Sequence, residues 1–243
     1  MSLPRPKKNE TSPGAYGILA GLLTLAFVAW SVVLGGCSHG LQVRHRNPDQ
    51  RATMAVHIRT FCLLADPFDI GAVAYEGGYG SGVMIDNTHV LTANHVVDCP
   101  TRPMITVSTW DGREYSMFIE KQWGHNDVAR LVIAKKGERF YSDRRGGDIA
   151  PPYLALPPMM GEPVCSFTAH PKKGVNCGPL VKDTDEANGD LYIEGMAWRG
   201  NSGSGVYDAE GRLVGILVSG YFRQDGTPAG MFMATSIQPQ YIR

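Results

Sequence analysis

The run Gly200-Asn201-Ser202-Gly203-Ser204 sets a serine among glycines and leads into the strand-like Gly205-Val206-Tyr207. That setting suits a nucleophilic hydroxyl. Glycine admits positive φ and tight turns, so the main-chain N–H groups of Gly200 and Ser202 can converge on one point. Two such donors beside a serine hydroxyl make an oxyanion hole for a tetrahedral intermediate. A Ser-Gly run alone is more often a plain loop, so a base and an acid must be sought. His95 lies in Val90-Leu91-Thr92-Ala93-Asn94-His95-Val96-Val97, and Asp127 precedes the apolar Val128-Ala129-Arg130-Leu131-Val132-Ile133. Each has a bland reading: a core histidine, a strand-edge charge, a loop hydroxyl. The order decides between them. His95, Asp127, Ser202 follows one of the three chain orders in which unrelated folds build a His-Asp-Ser triad. Serine, acid, histidine would be the α/β-hydrolase order, which also wants a glycine where this chain has Ser204. Two neighbours are rivals: His125 reads as a loop residue, and Ser204 as a support for the turn.

The elements that must carry these groups read as all-β. Gly80-Ser81-Gly82-Val83-Met84-Ile85-Asp86-Asn87 gives a strand and a polar turn, and a second strand then runs into His95. Met104–Trp110 and Tyr115–Lys121 flank Asp111-Gly112, a hairpin signal. Val128–Lys135 is a further strand, and Gly- and Pro-rich Arg144–Pro158 reads as a connection between halves. Strand candidates follow at Pro163–Ala169, Val175–Val181, Asp190–Ala197, Gly205–Asp208, Leu213–Ser219 and Gly230–Thr235, with a helical turn within Ile237–Ile242. No internal repeat or low-complexity tract is evident.

The chain resembles the trypsin/chymotrypsin-fold serine endopeptidases, in flavour the bacterial branch with the HtrA-type proteases, the staphylococcal glutamyl endopeptidase and the exfoliative toxins. Thr92-Ala93-Asn94-His95 resembles that family's Thr-Ala-x-His, Asp127-Val128-Ala129-Arg130-Leu131 its Asp-(Ile/Val)-Ala-x-Leu, and Gly200-Asn201-Ser202-Gly203-Ser204 its nucleophile motif. Gly211-Arg212-Leu213-Val214-Gly215-Ile216 resembles the strand after the nucleophile. The resemblance implies two six-stranded antiparallel barrels, with His95 and Asp127 from the first and Ser202 from the second, meeting in the cleft between them. It implies peptide-bond hydrolysis through an acyl-enzyme: Ser202 attacks, His95 relays the proton, Asp127 fixes the imidazole, and the Gly200 and Ser202 N–H groups bind the oxyanion. Asn201 replaces the aspartate that pairs with a newly cut N-terminus in trypsin-like zymogens, so activation by N-terminal insertion is not expected. The chain ends at Arg243, so no PDZ domain is expected.

By the same resemblance, Met196 forms the base of the substrate pocket, with walls from Val218, Ser219, Gly220 and the vicinity of Gly230. None is charged, and no histidine follows His170, so cleavage after a small or medium uncharged side chain is expected. The competing reading of Met196 is a core residue.

The N-terminus is a separate unit. Arg5, Lys7 and Lys8 precede an uncharged apolar run from Ala15 to Gly36, long enough to cross a bilayer as a helix. It ends in Leu34-Gly35-Gly36-Cys37, which resembles a bacterial lipobox, with Cys37 the candidate for lipidation. A lipoprotein signal and a plain anchor both remain open, and either puts the catalytic part outside the cytoplasm, at the periplasm or cell surface. The expected organisation is residues 1–37 as signal or anchor, 38–51 as linker and 52–243 as catalytic domain, with barrels at about 52–145 and about 155–243.

Of five cysteines, Cys62, Cys99, Cys165 and Cys177 remain if Cys37 is lipidated. Cys165 and Cys177 flank the turn-like Pro171-Lys172-Lys173-Gly174, so they suit facing strands, and Cys62–Cys99 is then the other pair. Four free thiols is the alternative, and disulfides fit an oxidising compartment. There is no C-x-x-C, and the seven histidines lack ligand spacing, so neither metal nor cofactor is expected. A net charge of zero gives no pull toward nucleic acid. The expected partners are a polypeptide substrate and, through the N-terminus, a membrane. Two function classes stand: an active membrane-tethered endopeptidase, or a catalytically silent module of the same fold that binds peptides.

Overall fold

The computed structural model describes residues 54–64, 73–101, 103–142, 146–156, 158–169, 174–183 and 189–242. The anchor candidate, the lipobox-like Cys37 and the linker lie outside the described residues. Among the described residues no helix is long and apolar enough to cross a membrane.

Twelve strands form two closed six-stranded antiparallel barrels. The first contains β1 (Ala55–Leu64), β2 (Val73–Met84), β3 (His89–Ala93), β4 (Pro103–Ser108), β5 (Glu114–Trp123) and β6 (Val128–Ile133), in the order β1-β2-β3-β6-β5-β4. Pairing of β4 back to β1, from His57↔Ser108 to Cys62↔Pro103, closes it. The second contains β7 (Pro163–Phe167), β8 (Val175–Asp183), β9 (Asp190–Glu194), β10 (Gly205–Tyr207), β11 (Leu213–Phe222) and β12 (Pro228–Ser236). Its order, β10-β11-β12-β9-β8-β7, repeats the scheme of the first with every strand number raised by six. Closure removes the exposed edges that an open sheet of this kind would present.

Burial follows the strand period where one face is covered. In β4 and β5, Ile105, Val107, Tyr115 and Met117 point inward and alternate with more exposed neighbours. β11 is different. Leu213 to Val218 are all buried, because one face fills the second barrel with Val214 and Leu217. The other face sends Leu213, Ile216 and Val218 into a cluster shared with Val90, Leu91 and Ala93 of the first barrel. This two-sided burial is why the stretch reads in sequence as a continuous apolar run rather than an alternation.

The C-terminus straps one barrel to the other. Beyond β12 a short 3₁₀ turn, Pro239–Tyr241, lays the fully buried Tyr241 against Trp123 of β5, ring centroids 4.7 Å apart. Arg130 Nη1 donates to the Tyr241 carbonyl at 3.4 Å. Burial pushes the Tyr241 phenol up to about 12.

Each barrel carries one disulfide. Cys165 and Cys177 face each other across β7 and β8 and are bonded, and Cys62–Cys99 ties β1 to the segment after His95. Cys62–Cys99 closes an interval of 37 residues and Cys165–Cys177 one of 12. A disulfide of this kind typically contributes about 2–4 kcal/mol, and loop-closure entropy alone favours the longer loop by about 1 kcal/mol. Replacing Cys62 and Cys99 by alanine is therefore expected to lower unfolding free energy more than replacing Cys165 and Cys177. Urea titrations of both double variants without reductant check the ranking.

Candidate active site

His95 sits on α1, a single helical turn (Asn94–Val97) that continues directly from β3. Val96 and Val97 are buried, whereas the preceding His95 turns its side chain outward, 49% exposed. β1 and β2 hold this turn down. Thr60 Oγ1 of β1 donates to the Val96 carbonyl at 2.8 Å, and a Cβ at Gly80 would lie 2.7 Å from Val96 Cγ2. Only glycine lets β2 approach so closely. The turn that launches β3 is also fixed locally. Asp86 Oδ1 accepts the N–H groups of Thr88 and His89 at 2.7 and 2.8 Å. Burial works against the Asp86 charge, but these bonds and the His89 ring outweigh it and hold the carboxyl below its ordinary value.

Asp127 follows a 3₁₀ turn, Gly124–Asn126, and has left-handed backbone, φ 50° and ψ 43°. Among the described residues it is the one non-glycine with positive φ. Aspartate tolerates that region better than most side chains, and the surroundings fix it from several sides. Its N–H donates to the Gly124 carbonyl, its own carbonyl accepts the Asn94 N–H at 2.9 Å, and Thr235 Oγ1 of β12 donates to the Asn126 carbonyl at 2.8 Å. The carboxylate then meets His95 at two points. Oδ1 accepts the His95 main-chain N–H at 2.9 Å, and Oδ2 lies 2.6 Å from Nδ1. Two contacts to one residue fix the imidazole's position and make Nδ1 the protonated nitrogen, leaving Nε2 as acceptor.

Ser202 lies on the turn between β9 and β10. Gly200 and Gly203 have φ of 92° and 88°. The Asn201 N–H donates to the Trp198 carbonyl at 3.0 Å, while its buried Oδ1 accepts the Trp198 N–H at 3.3 Å. Gly203 N–H donates to the Leu217 carbonyl and Leu217 N–H to that of Ser204, at 2.7 and 2.9 Å, tying the turn to β11. Ser81 of β2 secures it from the other barrel. Its N–H donates to the Ser202 carbonyl at 2.7 Å, and its Oγ to that of Gly200 at 2.8 Å. Thr92 Oγ1 donates to the Ser81 carbonyl at 2.7 Å. Among the described residues the Gly200 and Ser202 N–H groups have no acceptor.

His95 and Ser202 line one cleft of roughly 290 Å³. No hydrogen bond links the two side chains among the described residues, a separation common before substrate arrives. The cleft is completed by Tyr79 of β2, by Trp198, Arg199 and Gly200, and by Leu217–Gly220 with Phe222 of β11.

Of the residues expected to form the pocket, Val218, Ser219 and Gly220 line this cleft, whereas Met196 and Gly230 do not. Met196 is 55% exposed, on a segment whose Gly195 N–H donates to the Gly230 carbonyl at 2.9 Å. That bond holds both residues at the β9–β12 pairing. The segment turns into the cleft only at Trp198. His125 is exposed on the 3₁₀ turn. Ser204 is buried within the nucleophile turn, its N–H donating to the Asn201 carbonyl at 3.0 Å. Sequence reasoning missed Tyr79, Trp198, Arg199 and Phe222. Trp198 and Arg199 were within reach of it, being adjacent to Gly200 on the same turn. Among the described residues no group of His, Cys, Asp or Glu is arranged to hold a metal ion.

A family model described as the trypsin-like peptidase domain matches residues 80–216, more than half of the chain. The chain belongs to this family. No curated protein matches it.

A Cβ at Gly203 would lie 1.9 Å from the Ser81 carbonyl oxygen, and the backbone there has φ 88°. Gly226 has nearly the same φ, 79°, with open space around it. Gly226→Ala is expected to cost about 1–2 kcal/mol, the left-handed penalty alone. Gly203→Ala is expected to cost at least about 3 kcal/mol, because the seam at Ser81 must also open. Thermal denaturation of both variants checks the difference, and equal losses would argue against the close packing at Ser81.

Proposed function

We propose that this trypsin-like peptidase-domain protein is a membrane-tethered, extracytoplasmic serine endopeptidase, with Ser202, His95 and Asp127 as its triad. The observation that carries the reading is the two-point bond of Asp127 to His95, at 2.9 and 2.6 Å, in a residue that shares a cleft with Ser202. A structural histidine has no need of an oriented ring beside a serine on a glycine-bounded turn. Ser202 Oγ attacks the scissile carbonyl while His95 Nε2 accepts its proton. The proton then passes to the leaving amine, and a water, deprotonated by His95, releases the acyl group. Asp127 holds the tautomer and stabilises the imidazolium. The N–H groups of Gly200 and Ser202, without an acceptor among the described residues, are the oxyanion donors, and loss of one such donor typically costs about 100- to 1,000-fold in rate.

Asn201 supports an enzyme that needs no freed N-terminus. Its side chain is buried and already bonded within the turn it would otherwise have to reorganise. This shares the pattern of the HtrA-like branch. The basic start and apolar Ala15–Gly36 support tethering, with Cys37 as the lipidation site in the lipoprotein form. Fractionation of membranes carrying the full chain and a Cys37→Ala variant tests the tether.

The full chain in detergent is expected to react with a fluorophosphonate probe, and Ser202→Ala to abolish the labelling. Asp127→Asn is expected to keep the fold and lose about 10⁴-fold in kcat, because the imidazole then takes the wrong tautomer. Labelling in Ser202→Ala equal to wild type, or absence of labelling in the folded wild-type chain, would overturn the assignment.

A further inference from the structure

We infer that this cleft selects substrates with an acidic side chain within two residues of the scissile bond, and that Arg199 is the residue that selects them. The inference rests on the protease reading above and replaces the expectation of an uncharged preference, which was drawn from Met196, Val218, Ser219, Gly220 and Gly230 and took no account of Arg199. The residues that line the cleft carry one fixed charge among the described residues. It is the Arg199 guanidinium, on the residue immediately before the oxyanion donor Gly200.

Arg199 is exposed and has no ion pair or hydrogen bond to the protein among the described residues. Four other arginines are paired, whereas Arg59 and Arg223, exposed and likewise without an ion pair among the described residues, do not line the cleft. Arg113 is held by Asp111, Arg130 by Glu120, Arg139 by Asp148 and Arg212 by Asp208. No carboxylate lines the cleft among the described residues, so nothing there neutralises the guanidinium. Its surroundings favour pairing with a ligand. Tyr79, Trp198 and Phe222 bring aromatic surface to the same cleft, and such low-polarity walls strengthen a charge pair relative to open water. The planar fork of an arginine matches a carboxylate with two parallel hydrogen bonds. A lysine or arginine in the substrate would meet a like charge.

Internally quenched peptides with Asp or Glu, their amide isosteres, or Lys at each of the two positions on either side of the cleaved bond test this with the full chain in detergent. The reading is the ratio of kcat/KM between acidic and amide members of a pair. That ratio is independent of how much of a preparation is active. Wild type is expected to favour the acidic peptide by about 3- to 10-fold at one or more positions, and the ratio to shrink as salt is raised. Arg199→Gln is expected to bring the ratio close to one, and Arg199→Glu to turn the preference toward Lys. A wild-type ratio of one at every position, or an unchanged ratio in Arg199→Gln, overturns the inference and leaves the protease reading intact, since the peptides are still cut. Absence of both cleavage and fluorophosphonate labelling in wild type overturns both.

Discussion

The contact on which the site depends is the seam at Ser81. One residue of β2 donates its N–H to the Ser202 carbonyl and its hydroxyl to the Gly200 carbonyl, while its own carbonyl accepts Thr92 Oγ1. The Ser202 turn is thus held by β11 on its own barrel and by β2 on the other. Without that second hold, the turn would be a surface loop free to relax. The glycines around it serve the same contact: Gly80 lets β2 reach both the helical turn of His95 and the Ser202 carbonyl, and Gly203 leaves space for the Ser81 carbonyl. Position of the base and position of the hydroxyl are therefore set by neighbouring residues of one strand.

The second constraint is the Asp127 backbone. A left-handed aspartate is less favourable than a glycine at the same φ, yet glycine would carry no carboxylate. The fold resolves the conflict by surrounding the residue with bonds from Gly124, Asn94 and, through Asn126, Thr235 of the other barrel. Strain held in this way by an over-determined environment is typical of working sites.

Much of this was legible in the sequence, for reasons that are local. The first residues of β6, β7 and β8 fall where the apolar runs begin, although each strand ends two residues from its expected end, and the Cys165–Cys177 bond follows from a hairpin signal between two cysteines. The motifs around His95, Asp127 and Ser202 are short and contiguous. What was not legible is what depends on meeting across the molecule. Tyr79 and Phe222 reach the cleft because β2 and β11 each border the Ser202 turn, and no spacing rule links positions so far apart. Met196 was set at the pocket base by counting back from Ser202, but the Gly195–Gly230 bond keeps that part of the chain on the β9–β12 side. The two barrels also share one pairing scheme, although the sequence shows no repeat. Pairing order is set by backbone geometry and inward-facing apolar residues, which many different sequences supply.

The disulfides show where covalent and non-covalent cohesion divide. Cys62–Cys99 lies within the first barrel and Cys165–Cys177 within the second, and the described contacts between barrels are hydrogen bonds, apolar packing and the Tyr241 strap. Each half is therefore sewn shut on itself while the two are only pressed together. The candidate site sits on the pressed surface, so parting of the halves would separate His95 and Asp127 from Ser202 with both disulfides still closed.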